Sequence, residues 1–181
     1  EHGFKQEEVF GACAAAAMYR KEDFLNVGGF DEDYFSYFED VDLSFRLRLA
    51  GGRCLYVSTA VVHHVGSAST GKTSDFSYYY VHRNLVWTFF KNMPPLLFWI
   101  FLPLHIMLNA FLSFFLWWKE RKIIVIKAKV DALRTLPAVL RKRKQVQQMR
   151  KVSIHELYRV MSKDILAPRR ASHTRIQRHS K

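Results

Sequence analysis

With 181 residues, the chain has room for one ordinary domain, or for one domain with an appendage. Its 49% hydrophobic and 15% aromatic content excludes a disordered polymer. The formal net charge of +12 suggests a nucleic-acid binder until the charge is located.

Residues 1–92 hold nine basic and twelve acidic side chains, residues 93–118 hold none of either, and residues 119–181 hold nineteen basic and four acidic ones. Three unlike pieces are averaged in the total. The basic tail lacks an arrangement of aromatic residues on which bases could stack, so no nucleic-acid partner is expected. Cys13 and Cys54 can pair at most once, and no secretory signal heads the chain, which favours a reduced, cytosolic setting. The chain opens on Glu1 in mid-pattern, as the C-terminal part of a longer protein would.

In chain order, the small apolar run 9–18 reads as a buried, alanine-filled strand. Residues 21–27 form a short helix stopped by Gly28-Gly29. An aromatic and acidic loop, 30–38, enters a helix at 40–50 that Gly51-Gly52 ends. A strand interrupted at Ser58-Thr59 is expected over 53–65, then a small polar loop over 66–74 and a helix over 76–90. The uncharged piece 93–118 carries Pro94, Pro95 and Pro103 in its first half. His105, Asn109 and Ser113, four residues apart, form one polar stripe on a helix. Its length suits a membrane span, and Trp117-Trp118 before Lys119 resembles an interfacial edge, while a buried core helix is the plainer alternative. Residues 123–144 and 146–160 have amphipathic helical spacing broken at Pro137, and the end from Pro168 is polar and basic.

Six carboxylates fall within the twelve residues from Asp31 to Asp42. A helix N-terminus attracts acids by its dipole, which accounts for some of them. Aromatic neighbours before Glu39-Asp40 can raise a carboxylate's pKa and suit it to general-base work. Asp42 and Arg46, four apart, are expected to pair with each other.

The run GGFDEDYFSYFEDVDLSFRLRLAGGRCLYV (28–57) with VVHHVGSAS (61–69) resembles the C-terminal half of the catalytic domain of family 2 glycosyltransferases. HRNLVWTFFKNMP (82–94) resembles the exit from that domain in bacterial, rhamnosyltransferase-like members. The resemblance implies an α/β fold, the C-terminal part of a Rossmann-like GT-A domain over 1–92, followed by an apolar membrane-associated segment (93–118) and a basic amphipathic helical tail (119–181). It also implies an inverting reaction: an acceptor hydroxyl attacks the anomeric carbon of a nucleotide-sugar donor as the nucleoside diphosphate departs. The family's general base maps to Asp40, with Glu39 beside it in the acceptor site. A divalent cation, Mg2+ or Mn2+, is implied at the diphosphate, held mostly by an Asp-x-Asp motif that would lie before Glu1, with His64 as a further ligand. Strand alternation lets only one of His63 and His64 face the cleft. Lys72 and Arg83 are candidate phosphate contacts, with solvated surface charge as the alternative for each. The resemblance thus implies a lipid-linked or polysaccharide acceptor in cell-envelope glycan synthesis. A non-catalytic remnant that acts as an anchor is the competing class.

If 93–118 crossed the bilayer once, the catalytic piece and the basic tail would lie on opposite sides. Nucleotide sugars and the positive-inside rule both place them in the cytoplasm. The expectation is therefore a monotopic or peripheral protein on the cytoplasmic face of the bacterial inner membrane, its basic helices against an anionic membrane surface.

Overall fold

The structure, a computed structural model, describes residues 6–63 and 74–161. Strand β1 (Gln6–Val9) pairs antiparallel with β2 (Cys54–Val57), Gln6 opposite Val57 and Val9 opposite Cys54. Between them lie α1 (Lys21–Asn26) and α2 (Glu39–Leu49). Then follow α3 (Asp75–Asn92), α4 (Pro95–Glu120), α5 (Ile123–Arg134), α6 (Leu136–Gln148) and α7 (Ile154–Val160). The described residues are thus mainly helical around one two-stranded ribbon.

The alanine-rich run 9–18 is not a buried strand. Pairing ends at Val9, a single 3-10 turn occupies Ala14–Ala16, and Met18 is fully exposed. A strand needs a partner for its backbone groups, and among the described residues β1 has only β2 beside it, so the alanine run, with little side chain to bury, leaves the sheet. The 53–65 strand likewise stops at Val57, leaving Val61 and Val62 exposed. Arg48, itself buried, fastens β1 to α2: it donates to the carbonyls of Phe10 and Val9 and pairs with Glu8 at 2.6 Å. Gly11 then passes so close to Ser44 on α2 that no side chain fits between them.

Helix α3 is the hub, with α2, α5 and α6 packed against it. One apolar cluster joins Phe45 and Leu49 of α2 to Phe89, Met93, Leu97, Val146 and Leu157. A second joins Tyr34, Val86, Trp87, Ala132 and Val139. The Trp87 indole donates to Thr135 at 3.1 Å between α5 and α6. Residues of the basic tail therefore complete the core around the acidic turn.

Helix α4 begins at the proline pair, where a missing N–H is harmless, and continues through Pro103. It is long and apolar enough to cross a membrane, with mean hydropathy 1.9 and 6% of that window buried. Its polar stripe faces inward. The His105 ring stacks on Phe89 at 4.0 Å, and Asn109 accepts from Lys129, whose amine burial pushes down to about 8. Contacts continue along the helix, from Leu97 in the core through Phe101 on Tyr158 to Glu120, which accepts from Tyr78 at 2.9 Å. The outward side exposes Trp99, Ile106, Met107, Phe111, Phe114 and Trp118.

Candidate active site

The turn before α2 carries the densest chemistry, and the structure sorts its six carboxylates. Asp31 pairs with Lys91 and Lys142, each at 2.6 Å, and Asp33 with Lys142 at 2.6 Å. Asp42, fully buried, binds Arg46 at 2.7 Å and Lys91 at 2.8 Å, and accepts from Asn92 at 2.8 Å. The expected Asp42–Arg46 pair is present, as part of a larger network. Burial alone would raise the Asp31 carboxyl, but the two lysines outweigh it and hold it at about 2. These three acids serve the fold. Glu32, Glu39 and Asp40 form no ion pair among the described residues.

Glu39 and Asp40 open α2, where the helix dipole favours acids. The Asp40 carboxylate is half-buried and held by two backbone amides, Ala14 on Oδ2 at 3.1 Å and Val41 on Oδ1 at 2.8 Å. Each oxygen keeps lone-pair capacity beyond those bonds. Such a group is oriented, with lone pairs left to accept a hydrogen bond or a proton. Glu39 Oε2 is buried with no partner among the described residues, and so is the hydroxyl of Tyr19. Burial chiefly, then the charge of Asp40 and more weakly that of Glu39, raise the Tyr19 phenol above its ordinary value. Its ring sits against Phe24 at 5.8 Å and Phe30 at 6.2 Å. Sequence reasoning missed Tyr19, because its nearness to Asp40 depends on how the run after β1 folds back over α2.

The backbone entering α2 is strained. Phe35, Tyr37 and Phe38 have φ of 61°, 63° and 70°. A side chain in this region costs about 1–2 kcal/mol, so something nearby must hold the turn. Asn84 and Arg83 of α3 do so. The fully buried Asn84 amide donates to the carbonyls of Tyr34, Ser36 and Tyr37 at 3.0, 2.9 and 2.7 Å. Arg83 donates to those of Asp33 and Tyr34 at 2.9 and 3.1 Å, its guanidinium 4.1 Å from the Trp87 ring and 4.7 Å from that of Tyr80. Arg83, a candidate phosphate contact, thus directs its Nη2 to the turn and its Nε to Asn84.

His64 and Lys72 lie outside the described residues, and His63 is exposed. Among the described residues no group of three His, Cys, Asp or Glu side chains comes together that could hold a metal ion. Cys13 and Cys54 are free thiols.

The turn before α2 thus offers an oriented carboxylate at a helix start, with the Glu39 Oε2 and the Tyr19 hydroxyl left without partners among the described residues. The known proteins that this chain resembles are sugar transferases. It is 48% identical over 62 residues to an N-acetylglucosaminyl-diphospho-decaprenol L-rhamnosyltransferase of Mycobacterium tuberculosis, a stretch covering 34% of the chain and 19% of that protein. It is 54% identical over 52 residues to rhamnosyltransferase WbbL of Escherichia coli K12, covering 28% of the chain and 20% of that protein. The chain thus matches about a fifth of the length of these curated relatives. No protein-family model and no solved structure matches it.

Proposed function

We propose that this chain carries the acceptor side of an inverting family 2 glycosyltransferase of GT-A fold. The enzyme moves a sugar from a nucleotide donor to a lipid-linked acceptor in cell-envelope glycan synthesis. The names of the relatives favour an L-rhamnosyl donor and an N-acetylglucosaminyl-diphospho-polyprenol acceptor. The observation that carries the reading is the separation of the acidic run: Asp31, Asp33 and Asp42 are locked into ion pairs, while among the described residues Asp40 is held by two backbone amides and no cation.

In the proposed reaction the acceptor hydroxyl approaches Asp40 and gives it its proton. The hydroxyl oxygen forms the new bond to the anomeric carbon, and the bond from that carbon to the diphosphate breaks from the opposite face. The nucleoside diphosphate leaves with the electron pair, needing charge neutralisation and no proton. Glu39 Oε2 and the Tyr19 hydroxyl, both lacking partners among the described residues, are suited to hydroxyls of the acceptor sugar.

Membrane seating on the cytoplasmic leaflet belongs to the same proposal. Contacts with the domain recur from Leu97 to Glu120, so α4 lies along the protein with its apolar side outward. That geometry suits a helix in the plane of the leaflet, beside exposed Lys119, Arg121 and Lys127.

The test is Asp40→Asn in the longest natural protein that contains this chain, assayed for transfer between those two substrates. Removing a general base should lower kcat by about 100- to 10,000-fold with the fold intact. Undiminished transfer would remove Asp40 from the role.

A further inference from the structure

The aromatic turn leading into α2 has positive φ at three positions occupied by large side chains, Phe35, Tyr37 and Phe38. Glycine adopts such angles freely, and a ring does not. Helix α2 has no side-chain N-cap; Phe38 occupies that position at φ 70° and passes directly into Glu39 and Asp40. The place where the Asp40 carboxylate begins is therefore set by the course of the turn.

That course is imposed from α3. Asn84 has two amide hydrogens and three carbonyl acceptors, those of Tyr34, Ser36 and Tyr37, so one hydrogen is shared. Its own Oδ1 accepts from Arg83 at 2.9 Å, which fixes the amide's orientation. Asn84 is fully buried, and no water is needed to complete the set. An unstrained turn would need no such side chain, and a strained one persists only where its surroundings over-determine it.

We propose that Asn84 is a positioning residue for the transfer reaction: by holding the strained 34–38 turn it sets the place and angle of Asp40 at the start of α2. This rests on the reading of Asp40 as the base. Asn84 touches no substrate; it acts through the backbone.

Two measurements test it. Amide hydrogen exchange on the full chain compares wild type with Asn84→Ala and Asn84→Asp. The expected result is exchange at least tenfold faster in residues 35–41, with α5 and α6 unchanged. Transfer kinetics in the longest natural protein that contains the chain should show kcat lowered roughly tenfold to a hundredfold, with acceptor KM moved far less, because misplacement by about 1 Å is costly to catalysis. Adding Phe35→Gly to Asn84→Ala relieves a positive-φ position and should restore part of the lost kcat. Wild-type exchange in the turn overturns the proposal, as does faster exchange spread evenly over α3, α5 and α6, which marks general destabilisation. Absence of rescue by Phe35→Gly also counts against it. If Asp40→Asn keeps full activity, the base assignment fails by itself, while exchange in the turn still decides whether Asn84 holds it.

Discussion

Gly11→Ala tests how the run after β1 is laid over α2. A β-carbon at Gly11 would fall well inside contact distance of both the β-carbon and the Oγ of Ser44. Ser44 is 5% exposed and sits mid-helix, so its β-carbon cannot rotate away. Touching carbons settle roughly 3.5 Å apart, so the two backbones must part by on the order of 1 Å. Overpacking of this kind costs about 1–3 kcal/mol. With a urea slope of about 2 kcal/mol/M, the unfolding midpoint should fall by roughly 0.5–1.5 M. Ser44→Gly removes both offending atoms and leaves its Cα at an ordinary 3.8 Å from the new methyl group. Alone it should cost about 0.5 kcal/mol in helix propensity, serine being itself a weaker helix former than alanine. The double variant should therefore be more stable than the two single losses predict, by at least about 1 kcal/mol of coupling. Urea unfolding followed by tryptophan fluorescence measures all four proteins. If Gly11→Ala stays within about 0.5 kcal/mol of wild type, or if the coupling is zero, the close approach is not as described.

Acid should weaken the protein in two windows. Burial chiefly, then the charge of Lys129, lowers His82 from 6.5 to about 4, so stability is full above pH 6.5 and drains as pH falls through 4. Asp31 stands at about 2 against an ordinary 3.8, so its contribution, at most about 2 kcal/mol, is present above pH 3.8 and lost through pH 2. Urea midpoints between pH 7.5 and pH 3 should show the first window, and Lys142→Met should shrink the second. Phe111→Glu, on the outward side of α4 at 65% exposure, should reduce binding to phosphatidylglycerol vesicles at least tenfold in a flotation assay without changing the circular dichroism of the free protein. Unchanged flotation would show that this side of α4 does not meet lipid.

The helices were legible because their stops are chemical. Gly28, Gly29 and Gly51 take φ of 85°, 65° and 95°, and they close α1 and α2 where the glycine pairs predict. The 40–50 and 76–90 expectations differ from α2 and α3 by one or two residues at each end. The alanine run failed because small apolar residues mark burial without saying what covers them. A proline inside a helix removes a backbone bond, yet α4 runs through Pro103, its inward side held by Phe89, Lys129 and Tyr78. Within the acidic run, spacing gave the Asp42–Arg46 pair and nothing more, since Lys91 and Lys142 reach Asp31 from 60 and 111 residues away. Asn84 carries no local signal at all: mid-helix amides are common, and only the positive-φ turn opposite it shows what it holds.

The bridge from Lys142 to Asp31 and Asp33 has a consequence for how the protein is made. A ribosome releases the acidic turn more than a hundred residues before the lysine that neutralises it. Until α6 emerges and docks on α3, Asp33 lacks its lysine, Asp31 has Lys91 alone, and the second apolar cluster lacks Val139. The acidic turn is thus among the last parts to set during synthesis. Helix α4 is complete before the turn that precedes α2 has all its partners, so the order of synthesis puts the apolar helix ahead of the finished turn.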